Sequence, residues 1–295
     1  MAEALEKPTH GEAMRKILES MSGLALDKPI DTVHEWYIPQ WFDVTHWKID
    51  KRYKLEVTNI YDPSKFWVVT KFEELAVFQK ELKQFYDKRR KTLHFPLKEI
   101  TKDRLCVIEK QGVYYRAMVR RTIITGGSEI CIQAFLLDYG YVSHVPPNKM
   151  FRFYKGLTKL PMLAVRGELD QVRPKGSEWT TEEARRVSNM LSNANTLGTL
   201  KAIDTDRKVL SLDLEVYKTR KEFARHLAID LVRQKLARKA RPTVNRQAEY
   251  FFPLHQELEL GLAPFPKFLL EKLKSNLSPP AGDKPTDKKK NITNL

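Results

Sequence analysis

Apolar residues recur at helical spacing in four segments of the chain. The repeat i, i+3, i+4, i+7 predicts amphipathic helices over residues 12–22, 72–87, 181–192 and 223–236. A threonine at position 180 or 181, ahead of Glu183, provides an amino-terminal cap for the third helix. The side chains predicted to face the core are Met14, Ile17, Leu18, Met21, Leu75, Phe78, Leu82, Phe85, Ala184, Val187, Leu191, Phe223, Leu227, Leu231 and Leu236.

Short β-rich runs separated by turn residues predict strands in much of the remaining chain. These strands cover residues 54–60, 66–70, 162–172, 200–204 and 209–216. Between the second and third of them, residues 104–151 contain several short runs broken by glycines and by Pro146 and Pro147, which is typical of a small antiparallel barrel. The sequence therefore predicts an α+β fold, mainly β, with a barrel between two α+β halves.

Two aromatic segments lie outside this pattern. Residues 34–47 contain three of the five tryptophans, and residues 250–270 combine aromatic residues with prolines. The first segment either packs across the folded body or offers an aromatic surface to a partner. Both segments are candidate second interfaces, whereas the Pro- and Lys-rich residues from about 278 onward are predicted to be disordered.

Composition narrows the classes of function. The net charge of +15 is compatible with nucleic acid, a membrane surface or an acidic protein as partner, although a solvated helix face explains it equally well. No apolar run is long enough to cross a bilayer, and the polar start of the chain predicts an intracellular protein without a secretory signal. Cys106 and Cys131 are expected to be buried free thiols. No Cys/His spacing suggests a metal, and no cofactor or small-molecule substrate is expected.

Four sequence motifs, in this order, resemble the extended Tudor domain. They are Val57–Val68, Cys106–Ala117, Phe135–Tyr141 followed by Val145–Met150, and Leu160–Ala164. The third of them, Phe-Leu-Leu-Asp-Tyr-Gly-Tyr, is similar to the family's Asp-Tyr-Gly-Asn strand. The resemblance covers roughly residues 53–240 and implies a Tudor barrel inserted into a split OB-fold like that of staphylococcal nuclease.

The resemblance also implies a division of the chain into five parts. These are an amino-terminal helix and aromatic extension (1–52), the first half of the nuclease-like domain with a linker helix (53–100), the Tudor barrel (101–155), the second half (156–240) and a carboxy-terminal extension (241–295). The segment Asp62–Trp67 and the pair Phe85–Tyr86 are similar to the first Tudor domain of Yb-type Tudor-helicase proteins of the piRNA pathway. No phosphate-binding glycine-rich loop is found in the sequence.

Tudor barrels bind methylated arginine between aromatic rings, with a side-chain amide beside them. Carried over to this sequence, the binding positions fall on Tyr115, Tyr139, Tyr141, Glu109 and Leu136. Two rings are kept, Tyr141 replaces the amide, and Glu109 and Leu136 replace rings. Methylarginine reading, binding of an unmodified arginine next to Glu109, and a vestigial site in which the tyrosines only pack the barrel wall all remain open. Asp138 is expected to fix the turn or to cap a strand end, without a catalytic role.

The alternative to a protein-binding module is a single-stranded RNA binder. A basic groove would be formed by Arg225, Arg233, Lys235, Arg238, Lys239, Arg89 and Arg90. Nuclease chemistry is not expected, because Asp170, Asp204 and Asp213 are isolated along the sequence. The resemblance therefore implies a non-catalytic adaptor of the germline piRNA machinery. It would act in cytoplasmic, perinuclear germ granules and dock a Piwi-family or other Tudor-class protein.

Overall fold

The computed structural model describes residues 10–26, 29–33, 46–124, 129–192, 194–204, 209–219 and 223–240. Within these residues the helices are α1 (His10–Ser22), α2 (Phe72–Lys88), α3 (Thr181–Leu191) and α4 (Leu227–Arg233). The strands are β1 (Thr32–Val33), β2 (Arg52–Asp62), β3 (Lys65–Val69), β4 (Leu105–Lys110), β5 (Val113–Ile124), β6 (Ile130–Leu136), β7 (Tyr141–Val145), β8 (Met150–Tyr154), β9 (Val165–Leu169), β10 (Val172–Arg173), β11 (Asn195–Asp204), β12 (Val209–Tyr217), β13 (Arg225–His226) and β14 (Arg238–Lys239).

One six-stranded sheet forms the central barrel. Its strand order is β1-β8-β4-β5-β6-β7, with antiparallel neighbours throughout. The β4–β5 hairpin turns at Gln111 and Gly112, which both have positive φ, as expected for a tight two-residue turn. The inward faces of its strands enclose a core that includes Cys106, Ile108 and Leu136.

The second six-stranded sheet has the order β11-β2-β3-β9-β12-β13. An additional pairing of β11 with β12 closes its first five strands into a ring, in which β9 and β12 run parallel. A closed five-stranded ring is the architecture of an OB-fold. The strands of the central barrel come between β3 and β9 in the sequence, so that one barrel is inserted between the two halves of the other. The predicted fold class is confirmed, and the boundaries of its five parts stay predictions.

Helices α1 and α2 cover the outside of the central barrel. The apolar face of α2 consists of Leu75, Phe78, Leu82, Phe85 and Tyr86, which are all buried. They share one core with the apolar face of α1 and with the outer face of the barrel. Burial of such side chains contributes roughly 1.5–3 kcal/mol each. The amino-terminal helix is therefore an integral part of the folded unit.

Helix α3 packs against the ring and begins where the sequence predicts. The Thr180 hydroxyl accepts a hydrogen bond from the Glu183 backbone N–H, and the Glu183 carboxylate accepts one from the Thr180 N–H. This capping box satisfies two of the backbone donors that a helix leaves unpaired at its start. Val187 then reaches the core inside the ring.

The structure corrects three predictions about these elements. The helix predicted over 223–236 covers only Leu227–Arg233, and Phe223 is 94% exposed rather than buried. The cause is a strand pairing: Arg225 and His226 are hydrogen-bonded to β12, so that the helix cannot begin before Leu227. The strand predicted over 162–172 is shortened to Val165–Leu169, because the chain turns at Asp170 and Gln171. Cys106 is buried, but Cys131 is only partly so.

The aromatic segment 34–47 lies largely outside the described residues, and residues 250–270 and the predicted disorder beyond 278 lie outside them entirely. Trp47 is described, and it is buried against Tyr53 with ring centroids 4.9 Å apart. This end of the aromatic segment therefore packs on the folded body.

Candidate functional site

Three tyrosine rings converge at one end of the central barrel. Tyr115 lies on β5, Tyr139 in the turn after β6, and Tyr141 at the start of β7. The rings of Tyr115 and Tyr139 are 5.4 Å apart, and those of Tyr139 and Tyr141 are 6.0 Å apart, both in edge-to-face arrangement. All three rings are half-buried and pack against the barrel core. We call these three residues the tyrosine cluster.

The phenol groups of the cluster are held in the neutral form. Burial, with the neighbouring Tyr115, raises the pKa of Tyr141 to about 12. Burial also raises the pKa of Tyr139 and of Tyr115. At neutral pH these phenols keep their protons and take no part in proton transfer. Each phenol presents the negatively polarised face of its aromatic ring and a hydroxyl group. Such a set of rings is suited to a cation, which is attracted by the ring quadrupoles.

Leu136 forms the floor beneath the cluster. It is fully buried and lies directly opposite Ala117 on β5 and Tyr141 on β7. The sequence placed it at a ring position of the Tudor site. The structure shows an aliphatic contact with the core where a fourth ring would otherwise stand.

Glu109 does not belong to the cluster. On the β4–β5 hairpin, Tyr115 pairs with Ile108, whereas Glu109 pairs with Tyr114, on the opposite face of the sheet. The Glu109 carboxylate binds the side chains of Arg90 and Lys149. Burial opposes its ionisation, but these two cations and the Gly112 N–H hold the pKa of Glu109 below its usual value. The structure therefore places Glu109 away from the tyrosine cluster, with its carboxylate bound by Arg90 and Lys149.

Asp138 fixes the turn that carries Tyr139. Its carboxylate accepts two hydrogen bonds from Arg116, at 2.9 and 2.5 Å, and one from the Leu163 N–H at 3.2 Å. Arg116 also donates to the backbone carbonyls of Leu157, Leu160 and Pro161. Both charged groups are buried. Asp138 therefore has the structural role expected from the sequence, and it ties the turn to the segment leaving the barrel.

The same turn is also hydrogen-bonded to strand β2 of the five-stranded ring. The Thr58 hydroxyl donates to the Tyr139 carbonyl at 2.7 Å, and the Asn59 amide donates to the Gly140 carbonyl at 3.0 Å. Gly140 has φ +71°, and a Cβ atom built on it would lie 2.2 Å from Cγ of Trp67. The tyrosine cluster is thus placed at the junction of the two barrels.

A groove runs along β2 as far as Val57, the neighbour of Thr58 in the sequence. It has a volume of about 420 Å³ and is lined by β2, the start of α2, the end of α3 and the start of β11. Lys54, Glu56 and Phe72 are among its lining residues. The Lys54 ammonium lies 4.7 Å from the centre of the Phe72 ring. Sequence reasoning missed these residues, since the alternation of β2 marks Lys54 and Glu56 only as outward-facing.

The predicted basic groove is divided between two places. Five of its residues are exposed in and around α4: Arg225, Arg233, Lys235, Arg238 and Lys239. Arg225 and Arg233 flank the Asp230 carboxylate at 3.8 and 3.9 Å. Arg89 is buried at the end of α2 and donates to the Leu24 carbonyl, and Arg90 binds Glu109. The prediction that Arg89 belongs to a nucleic-acid groove is wrong, because Arg89 is buried, whereas the assignment of the exposed Arg90 stays a prediction.

The carboxylates considered for metal chemistry have other partners. Asp170 accepts a hydrogen bond from the Ser211 hydroxyl at 3.1 Å, and Asp213 lies 3.1 Å from Nδ1 of His226. Among the described residues, no group of three or more His, Cys, Asp or Glu side chains is placed to hold a metal ion. None of the helices described here has the length and apolarity needed to span a membrane.

Two joined barrels, with the tyrosine cluster at their junction, form the fold of an extended Tudor domain. Residues 48–171 match the family model of the Tudor domain. The third extended Tudor domain of mouse TDRD1, solved with a MILI peptide containing dimethylarginine, superposes with a TM-score of 0.54 at 18% identity. The match covers 70% of this chain and 99% of the TDRD1 domain.

A second solved structure and a curated relative agree with this fold. A variant of the Drosophila melanogaster Papi extended Tudor domain, bound to an unmethylated Piwi peptide, has a TM-score of 0.53 at 14% identity, covering 63% of this chain and 98% of Papi's. Human Tudor domain-containing protein 6 is 28% identical over 138 residues, which is 46% of this chain and 6% of that protein. The chain therefore has the extended Tudor fold, resembles the Tudor domain over residues 48–171, and matches only a small part of its curated relatives.

Proposed function

We propose that this protein is a non-catalytic, protein-binding adaptor of the germline piRNA pathway. It docks the arginine-containing tail of a Piwi-family or other Tudor-class partner through the tyrosine cluster. The observation that carries the proposal is the convergence of Tyr115, Tyr139 and Tyr141 on the floor made by Leu136. A planar guanidinium between such rings gains about 0.5–2 kcal/mol from each well-placed face.

The solved relatives support the choice of partner. TDRD1 and Papi share the fold; TDRD1 is solved with a MILI peptide containing dimethylarginine, and Papi with an unmethylated Piwi peptide. The position of the cluster at the junction of the two barrels leaves the groove along β2 for the residues that flank the arginine. A partner tail would then cross both barrels.

The test is calorimetric titration of arginine-containing Piwi tail peptides, unmodified and symmetrically dimethylated, into the protein. We expect binding that is lost in Tyr139→Ala, because the central ring of the cluster contacts both others. Phe223→Ala is the matched control, since it removes an exposed aromatic ring far along the chain. Absence of binding by the unaltered protein, or equal binding by Tyr139→Ala, contradicts the proposal.

Single-stranded RNA is the second candidate ligand. It is favoured by the exposed Phe223 ring among the five cations of residues 225–239, a combination of stacking and phosphate contacts typical of such sites. In filter binding we expect RNA retention that falls steeply with salt and is lost in Arg233→Glu. No retention at low salt would exclude this function.

Three finer assignments accompany the main proposal. The protein is proposed to lack catalytic activity, to reside in perinuclear germ granules of the cytoplasm, and to have a split domain of the staphylococcal-nuclease type into which the Tudor barrel is inserted. The likeness to Yb-type proteins stays a prediction from Asp62–Trp67 and Phe85–Tyr86. Imaging of the tagged protein in germ cells tests the location, and a uniform distribution there would contradict it.

A further inference from the structure

We propose that Glu56 is the carboxylate that pairs with the bound guanidinium, so that the site favours an unmodified arginine over a dimethylated one. The inference rests on the proposed function. It assigns a role to Glu56, which belongs to the five-stranded ring of β-strands and not to the central barrel. It replaces Glu109, whose carboxylate is consumed by Arg90 and Lys149.

Glu56 lies within reach of the tyrosine cluster. Two residues further along β2, the Thr58 hydroxyl contacts the Tyr139 carbonyl at 2.7 Å. The register of β2 shifts between Val57 and Asn59, so that Thr58 is the extra residue of a β-bulge. Strand residues two apart are separated by roughly 7 Å, which a glutamate side chain and an arginine side chain together can span. The charge of Glu56 is also close enough to disfavour ionisation of Tyr139.

The Glu56 carboxylate is available for a ligand. It is exposed, lines the groove along β2, and forms no ion pair within the residues that the structure describes. Its basic neighbour in the groove, Lys54, lies over the Phe72 ring, and the Lys65 ammonium is directed at Asp62. Glu56 therefore brings a negative charge to the edge of the cluster.

A carboxylate and an aromatic ring respond in opposite ways to methylation of arginine. Symmetric dimethylation removes one N–H donor from each terminal nitrogen and keeps the positive charge, which weakens a paired, hydrogen-bonded carboxylate contact. Rings lose nothing by it, because they contact the cation through their faces. With one ring replaced by Leu136 and a carboxylate gained at Glu56, the balance moves towards the unmodified side chain.

The experiment is a comparison of four titrations: the unaltered protein and Glu56→Gln, each with an unmodified and a symmetrically dimethylated arginine peptide. We expect Glu56→Gln to weaken binding of the unmodified peptide by about twofold to tenfold, the range of a partly exposed charge pair. The dimethylated peptide should lose less, so that the preference for unmodified arginine shrinks.

Glu178→Gln is the control, because it removes an exposed carboxylate just before α3, whereas the groove is lined by the end of that helix. Equal losses for both peptides, or no change in Glu56→Gln, overturns the assignment to Glu56. If Tyr139→Ala then still abolishes binding, the tyrosine cluster keeps its proposed function. If the unaltered protein binds neither peptide, both proposals fall.

Discussion

Arg116 holds Asp138 in a buried, two-pronged ion pair, with hydrogen bonds of 2.9 and 2.5 Å. Removal of one partner leaves the other charge without compensation in the core, which typically costs 3–5 kcal/mol. We therefore expect Arg116→Met to lower the free energy of unfolding by about that amount in urea denaturation. Lys155→Met is the control, because it breaks an exposed pair with Asp31 and should change stability by less than about 1 kcal/mol. Equal effects would contradict the structural role of Arg116.

Gly140 and Gly112 form a natural matched pair for a backbone test. Both have positive φ, but a Cβ at Gly140 would collide with Trp67, whereas a Cβ at Gly112 meets open space. Gly112→Ala should cost only the roughly 1–2 kcal/mol of a left-handed alanine. Gly140→Ala should cost clearly more in thermal or urea unfolding, and should weaken peptide binding by displacing Tyr139 and Tyr141. Similar losses of stability in the two variants would mean that the Trp67 side chain moves to make room for the added Cβ atom.

Asp62 should make stability depend on pH. Burial raises its pKa from 3.8 to about 6, against the opposing effects of Lys65 and the Ser64 N–H. The folded state therefore holds this proton more tightly than the unfolded state does, and the resulting stability is lost as the pH rises through about 6. Relative to the unaltered protein, Asp62→Asn should gain about 1–2 kcal/mol between pH 4.5 and pH 7.5 in urea titrations. Asp50→Asn, an exposed carboxylate, serves as the control, and a pH-independent difference for Asp62→Asn would refute the shift.

Substitutions at Phe223 and Leu231 distinguish the helix predicted over residues 223–236 from the shorter α4 (Leu227–Arg233) of the structure. The sequence pattern placed both in the core, but only Leu231 is buried. Leu231→Ala should cost about 2–5 kcal/mol, as for other large-to-small core changes. Phe223→Ala should stay within about 0.5 kcal/mol, the range of ordinary surface substitutions. A large loss of stability for Phe223→Ala in the same denaturation assay would support the helix predicted over residues 223–236.

Local pattern was sufficient for the elements that bury one face against the rest of the protein. Helix α2 followed its apolar spacing, and Thr180 with Glu183 marked the start of α3. Pattern failed at Phe223, because the pairing of Arg225 with β12 is a non-local contact that the spacing of apolar residues does not contain. Propensity and periodicity act over a few residues, whereas such pairings are decided by tertiary structure.

The candidate site shows the same division between local and non-local information. The three tyrosines were found because they lie in recognisable Tudor segments. Glu109 was misplaced because counting positions along the hairpin does not reveal that it faces away from Tyr115. Glu56 was missed because it is more than eighty residues from Tyr139 in the sequence, and β2 meets the barrel only through tertiary contacts such as that of Thr58 with the Tyr139 carbonyl.

The insertion of one barrel into the other has a consequence during synthesis of the protein. Strand β3 is a direct neighbour of β9 in the ring, yet residues 70–164 separate them. When the ribosome has completed the central barrel, β2 and β3 still present open edges, and such edges pair readily with other chains. Early folding of the barrel brings the ends of the long connection together and shortens the search for β9. The central barrel would thus act as an assembly aid for the ring, since the element that carries the tyrosines also brings the ends of β3 and β9 together.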